Sequence, residues 1–221
     1  SQAVYDKSAP VAFTNAFGPE NHGSIERTLL AGDGSDRRWY RISSGSHRLI
    51  LGDHGIHSDD QPAEVDAFIN IGKHLFKKDI PVPKIFHSDS FSGQVYVQDL
   101  GDINLQAVVQ KTTDNNEIIR LYQQVIDQAL CMSIHGADSF DLSWTYQTKE
   151  YDRQLILEKE CRYFVDAFLN NYLKINVPYE DLAAEFVLLV DLVPENAITE
   201  FMHRDLKYRN IMISDNQIIF I

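Results

Sequence analysis

Apolar positions in the first hundred residues come in short runs bounded by turn residues, a pattern that predicts strands. Arg27 to Ala31, Arg38 to Ser43 and Arg48 to Leu51 are β-prone, and Ser44-Gly45-Ser46 supplies a hairpin turn between the second and third. A helix is predicted from about Pro62, since proline is tolerated in a first turn. Val65, Phe68, Ile69, Leu75 and Phe76 make its apolar face. Pro81-Val82-Pro83 then forces extended backbone. Lys84 to His87 and Gln94 to Gln98, separated by a turn at Ser90 to Gly93, complete an antiparallel set. Strands with one helix on one face form an α+β lobe.

After Gly101 the spacing becomes helical. Asp114, with Glu117 three residues on, has the form of a capping box. It opens a helix whose Ile118, Leu121, Tyr122, Val125, Ala129 and Met132 share one stripe. A second helix is predicted from Lys149 to Leu173, with Leu155, Tyr163, Phe164, Ala167 and Phe168 facing inward, and a third between Pro178 and Pro194. The chain returns to short β at Ile211 to Ile213 and Ile218 to Ile221, around a turn at Asp215-Asn216. The expected organisation is a β-rich lobe over residues 1–99 and a helical lobe over 100–221, joined near Asp99 to Asp102.

Composition narrows the function classes. The 221 residues are 44% hydrophobic, enough for a substantial core. No stretch nears the ~18 apolar residues of a membrane span, and Ser1 to Pro10 lacks the basic-then-apolar form of a secretion signal. Cys131 and Cys161, thirty residues apart, read as buried thiols in a reducing cytosol. The formal charge of −12 argues against nucleic acid as a partner, because phosphate neutralisation needs a basic face. Glu180, Asp181, Glu185, Asp191, Glu195 and Glu200 form an acidic stretch without Lys or Arg, either a solvated face or a surface for a cationic substrate.

The chemistry is concentrated at His203-Arg204-Asp205-Leu206-Lys207-Tyr208-Arg209-Asn210. The segment resembles the His-Arg-Asp loop of kinases, with Asn five positions after the Asp. The spacing places a carboxylate to receive the proton of an attacking hydroxyl and a neutral amide oxygen to ligate magnesium. Asp205 is the expected base and Asn210 the expected metal ligand, with Lys207 or Arg209 offsetting phosphoryl charge. His203 is expected to pack under the loop, and His54, His57 and His135 receive no role. Ala31 to Asp36 falls between the first two strands, where Gly32, Gly34 and Ser35 would turn backbone N–H groups toward phosphate oxygens. Gln94 to Gly101 is an apolar strand running into Gln98-Asp99-Leu100, where backbone groups could meet adenine.

Gly32 to Ile42, Val82 to Ile85, Gln98 to Gly101 and the His-Arg-Asp loop resemble the aminoglycoside phosphotransferase superfamily. Within it they are most similar to the bacterial N-acetylmuramate/N-acetylglucosamine 1-kinases. Tyr151-Asp152-Arg153 and the aromatic helix after it resemble the segment preceding the substrate site of those sugar kinases. The resemblance implies a two-lobed protein-kinase-like fold, ATP and Mg²⁺ as cofactors, and a small-molecule acceptor with a free hydroxyl in the cytoplasm. An amino sugar is favoured; aminoglycosides and amino alcohols stay open, as does a non-catalytic nucleotide-binding relative. From Asp99 to His203 the chain runs 104 positions, which favours small-molecule kinases over protein kinases. Two departures stand out. Leu49 to Asp53 lacks the third-strand Lys that pairs with a helix Glu. Glu64 fits that Glu, with Arg37, Arg38 or Arg48 as substitute partners. The carboxylate that completes the metal site in such kinases would follow Ile221, so further chain is expected there.

Overall fold

A computed structural model describes residues 2–19, 23–31, 37–56, 64–192 and 200–221. The chain divides into two compact units, residues 1–146 with 200–221, and residues 147–199. The expected lobe boundary near Asp99 falls inside the first unit, where chain leaves the sheet for helix.

The first unit begins with α1 (Gln2–Phe17), which the hydrophobic pattern did not predict. Five antiparallel strands follow: β1 (Glu26–Leu29), β2 (Arg38–Ser44), β3 (His47–Asp53), β4 (Ile85–Asp89) and β5 (Gln94–Gln98). Their spatial order is β1-β2-β3-β5-β4. The β2–β3 turn places Gly45 at φ 59°, a conformation glycine adopts without penalty.

Alternation along the strands sends side chains to two covered faces rather than the one expected. Ile42, Leu49, Leu51 and Tyr96 pack under Tyr5, Ala9, Ala12 and Phe13 of α1. Ile50, Val95 and Val97 pack under Val65, Phe68 and Ile69 of α2 (Glu64–Lys77). Phe76, assigned to the apolar face of α2, is exposed instead; its start expected at Pro62 lies outside the described residues. Polar ties fix α1 as well. Gln94 Oε1 accepts from Tyr96 Oη at 2.9 Å and Ser8 Oγ at 3.2 Å, and Asn15 Nδ2 donates to the Phe86 carbonyl.

The rest of this unit comprises α3 (Leu105–Lys111), α4 (Asn115–Ala137) and a hairpin of β6 (Ile211–Ser214) and β7 (Gln217–Phe220). Leu105, Leu121, Val125, Met132, Ile211, Ile218 and Phe220 form their core, joined by Leu75 of α2. Asp215 and Asn216 both have positive φ, the backbone that a two-residue hairpin turn needs and that Asp and Asn tolerate. The capping box is half realised. Asp114 accepts from Asn116 N, but Glu117 accepts from Thr112 Oγ1 instead of reaching back to Asp114. Tyr122, expected in the α4 stripe, is exposed.

In the second unit, α5 (Arg153–Leu155) continues as π-helix through Ile156–Cys161 and Phe164–Tyr172. Five-back hydrogen bonding widens the turn, so the stripe expected from a 3.6-residue period is not kept. Leu155 and Val165 are buried; Tyr163, Phe164 and Phe168, expected inside, are exposed. A 3₁₀ turn (Tyr179–Asp181) precedes α6 (Ala183–Leu192), so the third helix starts later than expected and Pro194 lies outside the described residues. Cys131 and Cys161 are half-buried free thiols, less enclosed than expected. No helix among the described residues is long and apolar enough to cross a membrane.

Candidate active site

The His203–Asn210 segment is a tight loop feeding β6. Arg204 turns it with φ 68°, and a 3₁₀ turn at Tyr208–Asn210 brings Asn210 back to Asp205. Asn210 Nδ2 donates to Asp205 Oδ2 at 2.9 Å and to the Asp205 carbonyl at 3.0 Å. Lys207 Nζ lies 3.1 Å from the same carboxylate. The asparagine amide nitrogen is thus occupied, which leaves its oxygen, a hard neutral donor, as the group to offer a cation. Asp205 and Lys207 are both exposed, so the carboxylate is open to an incoming molecule. Arg209 is drawn aside, its Nε donating to Gln106 Oε1 at 2.9 Å.

The loop has a firm base. Ile221 N donates to the Asn210 carbonyl at 3.0 Å, closing the end of β7 onto the loop. The His203 ring stands edge-on to Phe220 at 6.3 Å, and burial lowers its pKa. This is the packing role expected of it.

Burial also lowers the pKa of His54 and His87 below the ordinary 6.5. As pH falls through that value the unfolded chain gains protons before the native one, so these histidines favour folding only at higher pH. Stability should therefore decline between about pH 7 and pH 5, above the range where carboxylates titrate. Denaturant midpoints that stay level across that interval would contradict the assignment.

The end of β5 is fixed by ions. Arg41 on β2 holds Asp99 through Nε–Oδ2 at 2.8 Å and Nη2–Oδ1 at 3.1 Å. It also binds Asp102, holding that carboxyl below its ordinary pKa. Asp99 Oδ1 accepts from Gly101 N as well, at 2.9 Å. The Asp99 side chain is thereby committed to structure, so any part in nucleotide binding falls to its backbone. Gln98 pairs with Lys84 through backbone and side chain, and Leu100 is buried. This segment lies next to the β6–β7 hairpin: Ile213 N donates to the Ile103 carbonyl, and Asn104 bridges to Met212.

Of the three candidate partners for Glu64, the structure pairs Arg37 with it, Nη1 to Oε1 at 3.1 Å. His54, given no role from the sequence, is buried between Trp39 and Phe68 with Nδ1 3.8 Å from Glu64 Oε2. No sequence signal marked it, because its partners lie on β2 and α2. Gly32, Gly34 and Ser35 lie outside the described residues. Tyr151, Asp152 and Arg153 belong to the second unit. Asp152 caps α5 through Leu155 N, Arg153 pairs with Asp191, and Tyr151 is exposed.

A loop carboxylate gripped by an asparagine five residues on, leading into a two-stranded hairpin separate from the five-stranded sheet, directs comparison to phosphotransferases. The sequence pattern of the phosphotransferase enzyme family matches residues 26–221. The chain belongs to that family. It is 28% identical over 154 residues to an N-acetylmuramate/N-acetylglucosamine kinase of Caulobacter vibrioides, covering 59% of this chain and 40% of that protein. Among solved structures it resembles an ethanolamine kinase of Plasmodium vivax, with TM-score 0.58 and 15% identity, over 100% of this chain and 62% of that one. It also resembles a thermostable mutant of an aminoglycoside phosphotransferase in ternary complex with ADP and hygromycin B. There the TM-score is 0.51 and the identity 17%, over 95% of this chain and 70% of that one. The α+β, protein-kinase-like fold follows. The chain spans less than half the length of the curated relative.

Proposed function

We propose that this phosphotransferase moves the γ-phosphoryl group of ATP to a hydroxyl of an amino sugar. The observation that carries the reading is the exposed Asp205 carboxylate, oriented by Asn210 and flanked by Lys207. In the reaction, the acceptor oxygen forms a bond to the γ-phosphorus as the bridging oxygen leaves with ADP. Asp205 accepts a hydrogen bond from the acceptor hydroxyl and takes its proton late. Lys207 offsets charge on the transferring group; Arg209 joins it by exchanging Gln106 for phosphate oxygens. Asn210 Oδ1 would hold Mg²⁺, which neutralises the phosphate oxygens when bound with ATP.

The nucleotide would rest against backbone groups of Gln98, Asp99 and Leu100, with Gly32, Gly34 and Ser35 over the phosphates. Residues 1–99 and 100–221 would then act as the two lobes of a cytoplasmic enzyme. The sugar is favoured over a cationic antibiotic for two reasons. The curated relative is an amino-sugar kinase by name. Two of the six acids counted toward a surface for a cationic substrate already have partners, Asp191 with Arg153 and Glu200 with Ser133.

The test is ATP consumption by the complete gene product with Mg²⁺, offered amino sugars, aminoglycosides and amino alcohols in parallel. Turnover should be highest with an amino sugar, and mass spectrometry should show one added phosphate. Turnover confined to the other two classes would overturn the acceptor; no turnover with any would favour a non-catalytic relative.

A further inference from the structure

The missing third-strand lysine has a steric cause. On β3, Leu49 and Leu51 face α1, which leaves Ile50 and Gly52 facing α2. Ile50 is packed among the apolar residues of α2 and the sheet. At Gly52 a Cβ would lie 2.8 Å from the Trp39 ring and 3.0 Å from Val95 Cγ1. The indole fills the place where a side chain on this strand would rise toward α2. A lysine cannot stand there while Trp39 keeps its position.

The cation enters from the neighbouring strand. Tyr40 and Ile42 of β2 pack on the α1 side, so Trp39 takes the α2 side, as its 5.8 Å ring distance to Phe68 shows. Two residues earlier, Arg37 lies on the same side with Nη1 3.1 Å from Glu64 Oε1. Glu64 has a second neighbour. Its Oε2 is 3.8 Å from Nδ1 of His54, whose side chain is only 4% exposed and whose ring nitrogens have no hydrogen-bond partner among the described residues. Trp39 packs on both sides of this arrangement, touching His54 and covering Gly52.

We infer that Arg37 is the cation that contacts the nucleotide's phosphates, with Glu64 as its positioning residue and His54 behind Glu64. The inference rests on the phosphotransfer reading above. A guanidinium suits the task, since one amino group can hold Glu64 while the others present a planar fork to phosphate oxygens. A lysine on β3 would make both contacts with a single ammonium. Here Trp39 is traded for that lysine, and the cation arrives from the start of β2.

Equilibrium binding of ADP and of adenosine to the complete gene product, each with Mg²⁺, tests this. Arg37→Gln should weaken ADP by about 10- to 100-fold, the loss of charge-assisted hydrogen bonds, and leave adenosine unchanged. Unchanged adenosine binding also reports that the variant is folded. Arg37→Lys should recover part of the ADP affinity, and Glu64→Gln should weaken ADP less than Arg37→Gln. Equal ADP affinity in wild type and Arg37→Gln, or parallel loss of ADP and adenosine in both Arg37 variants, would overturn the inference alone. Wild-type protein that binds neither ligand would overturn the phosphotransfer reading, and the inference with it.

Discussion

Asp205→Asn should lower kcat by about 100- to 10,000-fold, the usual contribution of a positioned general base, with ATP affinity nearly unchanged. The substitution is close to isosteric, and the hydrogen bonds explain why the loop should survive it. Asn210 donates to Asp205 through its amide nitrogen, and a carboxamide oxygen at position 205 can still accept. The second Asn210 bond goes to the main-chain carbonyl and does not depend on the side chain. What disappears is the negative charge that orients the acceptor hydroxyl and receives its proton. That loss is felt in the transition state, not in nucleotide binding, because Asp205 is assigned to the acceptor side. Steady-state kinetics of the complete gene product with its preferred acceptor would measure it. A variant as active as wild type would remove Asp205 from the mechanism.

The His203–Asn210 loop was legible because its proposed chemistry is local: carboxylate, cation and amide lie within six consecutive residues, and a short turn suffices to join them. The strands were legible for a similar reason, since alternation is written within each run. The first helix was not. Its buried stripe is Tyr5, Ala9, Ala12 and Phe13, half of it alanine, which carries little hydrophobic contrast. Pro10 within the helix further obscures it, although its exposed position tolerates the lost backbone bond. The aromatic segment from Tyr163 to Tyr172 was misread for a different reason. Its spacing fits an α-helical stripe, but π-helical backbone through Cys161 and again from Phe164 shifts the period, and Tyr163, Phe164 and Phe168 are exposed.

Pairings that depend on tertiary partners were not legible. His54 follows Gly52-Asp53 and precedes Gly55, surroundings typical of a surface turn, and becomes buried only because Trp39 and Phe68 close on it. Arg37 could not be singled out from Arg38 and Arg48, since the choice depends on which face of β2 meets α2. Arg48 instead approaches Asp99, with Nε 3.6 Å from Oδ2. Asp99 shows the limit from the other side. Its position in Gln-Asp-Leu-Gly was readable as a strand end, while its bidentate partner lies 58 residues earlier.

That partnership leads to a large expected effect on stability. Asp99→Ala removes a carboxylate whose side chain is only 4% exposed and which binds Arg41 through two nitrogens and Gly101 through its backbone N–H. Breaking a buried ion pair from one side costs about 3–5 kcal/mol, because the remaining charge is left without its partner. Here the loss should fall toward the lower end, roughly 3 kcal/mol, since Asp102 still holds Arg41 from the exposed side. Asp102→Ala should cost far less, roughly 1 kcal/mol or below, as for other exposed pairs. The double variant leaves Arg41 with neither acid, so its loss should exceed the sum of the two single losses. Urea unfolding of the wild type and three variants would measure these differences. If Asp99→Ala proved as mild as Asp102→Ala, the ion pair would not be what fixes the segment after β5.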